Sequence, residues 1–305
     1  MSAPNHSQWA NLITEQRNPA SEQIDAISTR DALQIINDQD KTVAHAIETE
    51  LDHIAQATDI VYYALNNGGR LFYIGAGTSG RLGVLDASEC PPTYGVSPEL
   101  VQGIIAGGLP ALTRSQEGAE DLLEDGAKAL IDRNCTNQDV VMGIAASGVT
   151  PFVIGALQHA TSIGAKTIFF SCNPQAAKKV FANVHITPKV GPEVITGSTR
   201  MKAGTATKMV LNMITTTTMI KLGKVYENLM IDLTPSCQKL IDRAQRILCA
   251  ITNISPEDSA QKLQDAQGNL KIAIVMTKRA VSYETARQLL DKHHGNVRSA
   301  LEKTV

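Results

Sequence analysis

Thr78 and Ser79 stand inside Gly75-Ala-Gly-Thr-Ser-Gly80, directly after the apolar run Leu71-Phe-Tyr-Ile. Ser147 and Thr150 stand in Ala145-Ala-Ser-Gly148-Val-Thr-Pro151, directly after Val140-Val-Met-Gly-Ile. Each stretch reads as a buried strand, a glycine turn carrying two hydroxyls, and a helix start. The free N–H groups and positive dipole end of a helix N-terminus favour an anion at such a turn. A capping hydroxyl alone would explain either loop. Two of them at the C-terminal ends of parallel strands point to one shared ligand site, because open α/β sheets bind ligands there. Gly75, Gly77 and Gly80 also satisfy the dinucleotide spacing G-x-G-x-x-G. A dinucleotide site wants an acidic side chain about 20 residues on to hold the ribose, and the next apolar run, Leu100 to Gly108, ends without one. The expected ligand is therefore a phosphomonoester of a small molecule, held in part by Gly148 and its neighbours.

The elements that must position these loops follow from periodicity. From Arg70 onward, short apolar runs alternate with amphipathic stretches, giving expected strands near 71–75, 100–105, 139–145, 166–171 and 184–188 with helices between them. That order predicts an α/β fold with a parallel, doubly wound sheet flanked by helices. Before it, Leu33, Ile36, Val43, Ile47, Leu51, Ile54, Ile60 and Leu65 recur at three- and four-residue steps, predicting a helical arm over 31–67. Residues 201–222 are apolar enough for a buried central helix, with Thr215 to Thr218 read as packed hydroxyls bonded to the preceding turn. Thr234-Pro235 and Ser255-Pro256 each read as an N-cap followed by proline at the first helical position. The last 70 or so residues should form a small all-helical domain. The expected division is 1–59 for the arm, 60–224 for the sheet domain and 225–305 for the C-terminal helices.

Composition sets the outer limits. At 305 residues the chain can bury a large core, and a net charge of −2 indicates neither a nucleic-acid nor a membrane surface. Five scattered cysteines without a C-x-x-C pair read as reduced thiols of a cytoplasmic protein, with no metal or redox site. No apolar run approaches the roughly 20 residues of a membrane span, and the first residues lack the order of a signal peptide.

With these motifs in place, G-x-G-T-S-G followed by A-x-S-G-x-T resembles the sugar isomerase (SIS) domain, a sugar-phosphate-binding fold. Longer runs sharpen the likeness: Asp86-Ala-Ser-Glu-Cys-Pro-Pro-Thr-Tyr-Gly95, Glu117-Gly-Ala-Glu-Asp121, Gly197-Ser-Thr-Arg-Met-Lys-Ala-Gly-Thr-Ala206, Thr14-Glu15-x-Arg17-Asn18-Pro19 and Ile35-Ile-Asn-Asp38. From about residue 12 to the C-terminus the chain resembles the N-acetylmuramic acid 6-phosphate etherase family. The segment 284–301 resembles a ubiquitin-associated-like helix–turn–helix through Gly295-Asn296-Val297 and Ala300-Leu301, with His293 and His294 solvated or capping at its turn. The etherase resemblance implies a cofactor-free lyase that removes the D-lactyl ether from C3 of N-acetylmuramic acid 6-phosphate, leaving N-acetylglucosamine 6-phosphate and D-lactate.

That chemistry asks for two groups. In the open-chain sugar the C2 hydrogen lies alpha to an aldehyde and the C3 ether oxygen is a beta leaving group, so elimination needs a base at C2 and an acid at the departing oxygen. The resemblance implies Glu89 and Glu120. On helical spacing Glu120 shares a stripe with Leu123, Ala127 and Leu130, which would turn it to an apolar side where desolvation makes a carboxylate a better base. An exposed helix start, which favours acidic residues in any case, is the alternative. Glu89 precedes Cys90-Pro91-Pro92, expected to end the helix begun near Ser79, and a carboxylate at a helix C-terminus suits a general acid. About 10 residues of helix separate Ser79 from Glu89, roughly 15 Å. Glu89 is therefore expected to serve a neighbouring subunit of a homodimer. Ser198, Thr199, Arg200 and Lys202 supply hydroxyls and cations for the phosphate or the lactyl carboxylate. Cations sit badly at a helix start unless an anion is present. Glu193 is a further candidate for the sugar pocket. Two other readings share the fold: a sugar-phosphate-sensing regulator, which needs no acid–base pair, and an aldose–ketose isomerase, which abstracts at C2 but has no leaving group.

Overall fold

The computed structural model describes Trp9, residues 11–232 and residues 238–302. It divides into two compact units. One holds the residues up to Ser88 together with Glu99–Thr215, and the other holds Glu89–Pro98 and the residues from Thr216 onward.

The first unit opens with two helices, α1 (Thr29–Glu48) and α2 (Leu51–Asn66), where the periodicity predicts one continuous arm. Ser28 caps α1 by accepting the Asp31 N–H at 3.2 Å. The break falls at Glu50, a buried carboxylate that accepts the Thr187 N–H at 3.0 Å and pairs with His53 Nδ1 at 2.9 Å. A long-range partner for Glu50 thus overrides a helical pattern that continues on both sides of it.

Five strands follow: β1 (Leu71–Gly75), β2 (Val101–Ile105), β3 (Val140–Ile144), β4 (Lys166–Phe170) and β5 (Val184–Ile186). They pair in parallel in the order β2-β1-β3-β4-β5, with Gly75 opposite both Ile105 and Ile144. All five were expected from their apolar runs, and the doubly wound order follows from their alternation with helices. The chain leaves β1 for β2 on one side and returns to β3 on the other, so a switch point opens between β1 and β3.

Helices cover both faces. Between the strands run α3 (Gly77–Tyr94), α4 (Leu123–Ile131), α5 (Pro151–Ser162) and the short α6 (Pro174–Ala177), and α7 (Lys202–Lys221) follows β5. Phe72, Ile74, Val141 and Phe169 form one core layer with Leu130 of α4 and Phe152, Val153 and Leu157 of α5. On the opposite face Tyr73 donates to Asp86 of α3 at 3.0 Å, and Asn212 and Thr215 of α7 donate to the same carboxylate at 2.6 and 3.2 Å. Burial raises the Asp86 pKa, and these three donors oppose that rise. Helix α3 continues through Pro91 and Pro92 to Tyr94, which corrects the expectation that this pair ends it. The missing N–H groups lie in its last turn, where the Gly95 N–H still closes on the Pro91 carbonyl at 2.9 Å.

The second unit contains a two-stranded antiparallel hairpin, β6 (Val225–Tyr226) and β7 (Leu229–Met230), and the helices α8 (Gln238–Thr252), α9 (Pro256–Asp265), α10 (Leu270–Arg279), α11 (Tyr283–Lys292) and α12 (Val297–Leu301). Leu248, Ala266, Ala273, Ile274, Ala286, Val297 and Ala300 share its core. Ser255 caps α9 through the Asp258 N–H with Pro256 at the first position, as expected. The matching Thr234-Pro235 reading lies outside the described residues. Thr215 bonds back to the Leu211 carbonyl at 3.0 Å as predicted, whereas the buried Thr218 hydroxyl has no partner.

Candidate active site

Strand β1 ends at Gly75 and the chain turns at once into α3. The turn is tight: a Cβ on Gly75 would stand 2.8 Å from the Gly80 nitrogen, and one on Gly80 would stand 2.7 Å from the Gly75 carbonyl oxygen. Only glycine fits either position, and Gly77 takes a left-handed φ of 50° between them. The result puts Thr78 and Ser79, both half-buried, in the first turn of α3. The β3 loop runs parallel to it. Gly148, with a φ of 80°, is held so closely that a Cβ would meet Ser171 Oγ and Ala176 Cβ at 2.8 Å. Thr150 occupies the N-cap of α5 with Pro151 at N1, yet its hydroxyl makes no cap hydrogen bond. Among the described residues, none of the side chains of Thr78, Ser79, Ser147 and Thr150 has a hydrogen-bond partner within the chain. Four unoccupied hydroxyls beside two helix N-termini are a ready set of ligands for an anion.

Glu120 arrives by a route that the stripe argument missed. Helix α4 begins only at Leu123, and Glu120 sits in the preceding turn of Glu117-Gly-Ala-Glu-Asp121, with the Asp121 N–H on the Gly118 carbonyl at 3.2 Å. It is exposed, not turned to an apolar face. The Phe152 N–H donates to the Glu120 carbonyl at 3.0 Å, which ties this turn to the start of α5, two residues past Thr150. Gly118, with a φ of 74°, is the sequence signal for the turn. Glu120 also lines a cavity of about 260 Å³ with Glu117, Gln116, Ala76, Gly77 and Arg81. Glu120 thereby joins a cavity at the β1 turn through its place in the lining and the start of α5 through its backbone carbonyl.

A third loop closes in from α7. A Cβ on Gly204 would stand 3.5 Å from Thr78 Cγ2 and 3.5 Å from the Thr199 carbonyl, so the Ser198–Lys202 segment borders the β1 turn. Ser198 and Thr199 are half-buried and Arg200 is exposed. Lys202 and Glu193 are placed differently from the expected ligand role. Glu193 is 1% exposed, and its two oxygens accept the Lys202 and Ala203 N–H groups, both at 2.9 Å, which caps α7. Lys202 is equally buried, with Nζ on Gln39 Oε1 at 3.0 Å; the same oxygen accepts Asn18 Nδ2 at 2.8 Å. Burial raises the Glu193 pKa, against the pull of the two N–H groups and of Lys202, and burial lowers that of Lys202 against the pull of Glu193. The anion that a cation at this helix start demands is therefore internal. Glu89 is exposed on α3 and is assigned to the second unit, whereas the residues described above are assigned to the first.

Comparison with known proteins bears on what such a site does. Residues 53–161 match the model for the glucokinase regulatory protein N-terminal SIS domain. The N-acetylmuramic acid 6-phosphate etherase of Clostridium beijerinckii is 53% identical over 96% of this chain and 96% of its own. The chain belongs to the N-acetylmuramic acid 6-phosphate etherase family. The etherases of Clostridium botulinum (strain Langeland) and Photorhabdus laumondii agree, at 51% and 50% identity over 96% and 95% of this chain and 97% of each relative. The family resemblance read from the motifs is borne out along nearly the whole chain, which is thus an etherase-family enzyme on an SIS-type parallel sheet. Among the described residues no helix is long and apolar enough to cross a membrane.

Proposed function

We propose that this enzyme cleaves the D-lactyl ether of N-acetylmuramic acid 6-phosphate by elimination followed by hydration, a step in the recycling of bacterial cell wall. The observation that carries the reading is the placement of Glu120: the residue lines the cavity at Gly77 while its carbonyl is bonded to Phe152, two residues past Thr150. The phosphate lies among Thr78, Ser79, Ser147, Gly148 and Thr150, where hydroxyls and helix N-termini oppose its charge. Ser198, Thr199 and Arg200 line its α7 side. Glu120, as base, takes the C2 proton of the open-chain sugar, and the electron pair forms the enolate of the C1 aldehyde. The pair then closes the C2–C3 double bond as the C3–O bond breaks, and Glu89, as acid, protonates the departing oxygen to free D-lactate. Water adds back at C3 and a proton returns to C2, with the two carboxyl groups in reversed roles. The ring closes as N-acetylglucosamine 6-phosphate, so one water is consumed for each lactate released.

Glu89 acts on the site of a partner subunit in a homodimer, because the first turn of α3 and Glu89 are about 15 Å apart along the same helix. A phosphorylated amino sugar is a cytoplasmic metabolite, and the enzyme works there.

The test is incubation with N-acetylmuramic acid 6-phosphate in deuterated water. D-lactate and N-acetylglucosamine 6-phosphate carrying deuterium at C2 are expected. Lactate released with hydrogen retained at C2 would mean direct substitution and overturn the elimination. Exchange without lactate would indicate an isomerase, and binding with neither would indicate a sensor.

A further inference from the structure

The substrate of the proposed reaction carries two anions, and the hydroxyl loops account for one. We propose that Arg81 binds the carboxylate of the lactyl group and so selects a carboxylate-bearing ether. This inference rests on the etherase reading. Arg81 is two residues beyond Ser79 on α3 and is half-buried. Its Nε donates to the Leu112 carbonyl at 3.1 Å, which ties the side chain to the segment that follows β2. That segment supplies the wall of the cavity bearing Glu117 and Glu120, and Arg81 lines the same cavity.

Two features make the guanidinium a receptor. Among the described residues that line the cavity, Arg81 is the one cation, and it shares the lining with two carboxylates, Glu117 and Glu120, with neither of which it pairs. A substrate carboxylate entering there meets repulsion from Glu117 and Glu120 unless a positive group holds it. With Nε fixed on a backbone carbonyl, the edge formed by Nη1 and Nη2 remains open, and that edge matches a carboxylate in a two-point contact. The chemistry also fixes the distance from the base. The lactyl oxygen is on C3, next to the C2 whose proton Glu120 takes, so a lactyl carboxylate belongs on the wall that carries Glu120.

The experiment compares N-acetylmuramic acid 6-phosphate with its lactamide, in which the carboxylate is a neutral amide, on the wild-type enzyme, Arg81→Lys and Arg81→Ala. The readout is the rate of 3-O side-chain release, expressed as the ratio of kcat/KM for acid over amide, which is independent of the fraction of each variant that folds. The wild type should favour the acid by about 10²–10³-fold, the usual cost of leaving a charged partner unmatched. Arg81→Ala should collapse the ratio to within a few-fold of one, and Arg81→Lys should fall between. A wild type that handles acid and amide alike overturns the proposal even if neither variant folds. A ratio unchanged in Arg81→Ala overturns it too. In both cases lactate release by the wild type leaves the etherase reading standing, whereas its complete absence removes that reading itself.

Discussion

Glu120 and Glu193 show how environment separates an accessible carboxylate from one committed to structure. Glu120 was the expected base, and Glu193 a further candidate for the sugar pocket. Glu193 is sealed in the interior with each oxygen on a backbone N–H of α7, so its carboxylate serves as the cap of that helix. Glu120 keeps its side chain exposed on a cavity wall and uses only its carbonyl for structure. Replacing Glu120 with Gln, which preserves shape and the main-chain contact, should lower lactate release by about 10²–10⁴-fold and abolish deuterium exchange at C2. Glu89→Ala should lose lactate release and retain that exchange, since the base is untouched. If Glu89→Ala loses exchange as well while Glu120→Gln retains it, the two roles are reversed.

At the scale of elements, the site depends on how closely α4 meets α5. A Cβ on Gly126 would collide with the Phe152 carbonyl, and one on Gly155 would collide with the Leu123 carbonyl. This reciprocal pair of glycines brings the two backbones into contact, and the turn with Glu120 and the loop with Thr150 are the immediate leaders of those helices. Gly155→Ala should therefore cost about 1–3 kcal/mol in urea denaturation and reduce kcat more than binding of the phosphate; a variant with wild-type kcat would show that the crossing does not position Glu120. None of that reciprocity is legible from sequence, because each glycine answers to a residue on the other helix. The strands were legible because Leu71–Gly75 and Val140–Ile144 are buried on both faces and read as unbroken apolar runs. Gly75 and Gly80 could be read as turn positions since each closes on the other within six residues, and Gly148 since its left-handed φ is a local requirement. Three misreadings share one cause, which is contact with something distant in sequence. Glu50 ends α1 by reaching Thr187, Glu120 leaves the α4 stripe to meet Phe152, and Glu193 turns to α7. Pro91 and Pro92 mislead for a different reason: proline removes donors, and the last turn of a helix loses little by it.

At the scale of the whole molecule, the sheet presents the glycine loops after β1 and β3 at one end and an ion pair at the other. Arg70, just before β1, donates its N–H and Nε to Asp139 Oδ1 at 2.8 and 3.2 Å and Nη2 to Oδ2 at 2.9 Å, while the Thr136 N–H adds another bond at 2.8 Å. Burial would lift the Asp139 carboxyl, but the Arg70 contacts and the Thr136 N–H outweigh it and hold its pKa below the ordinary 3.8. A carboxyl lowered in the folded state stabilises fully above its unfolded value and loses that contribution as pH falls through the folded one. Stability of the wild type should thus fall more steeply below about pH 4 than that of Asp139→Asn, as read from urea midpoints at pH 6, 4 and 3; equal slopes would deny the pair this role. The division into two units sets the last requirement. Glu89 belongs with the C-terminal helices, and Thr78, Ser79, Glu120 and Thr150 belong with the sheet. A homodimer in which Glu89 of one subunit completes the partner's site would make each active centre need an intact α3 from both chains. Mixing inactive Glu89→Ala with an inactive Ser79→Ala, Thr150→Ala chain under conditions that exchange subunits should then restore activity. One heterodimer site would receive both its hydroxyl loops from the first chain and its acid from the second, so random pairing yields about a quarter of wild-type activity, half of the dimers having one intact site of two. Activity that stays at the level of the separate variants, with exchange verified by mass, would place the acid within the same subunit.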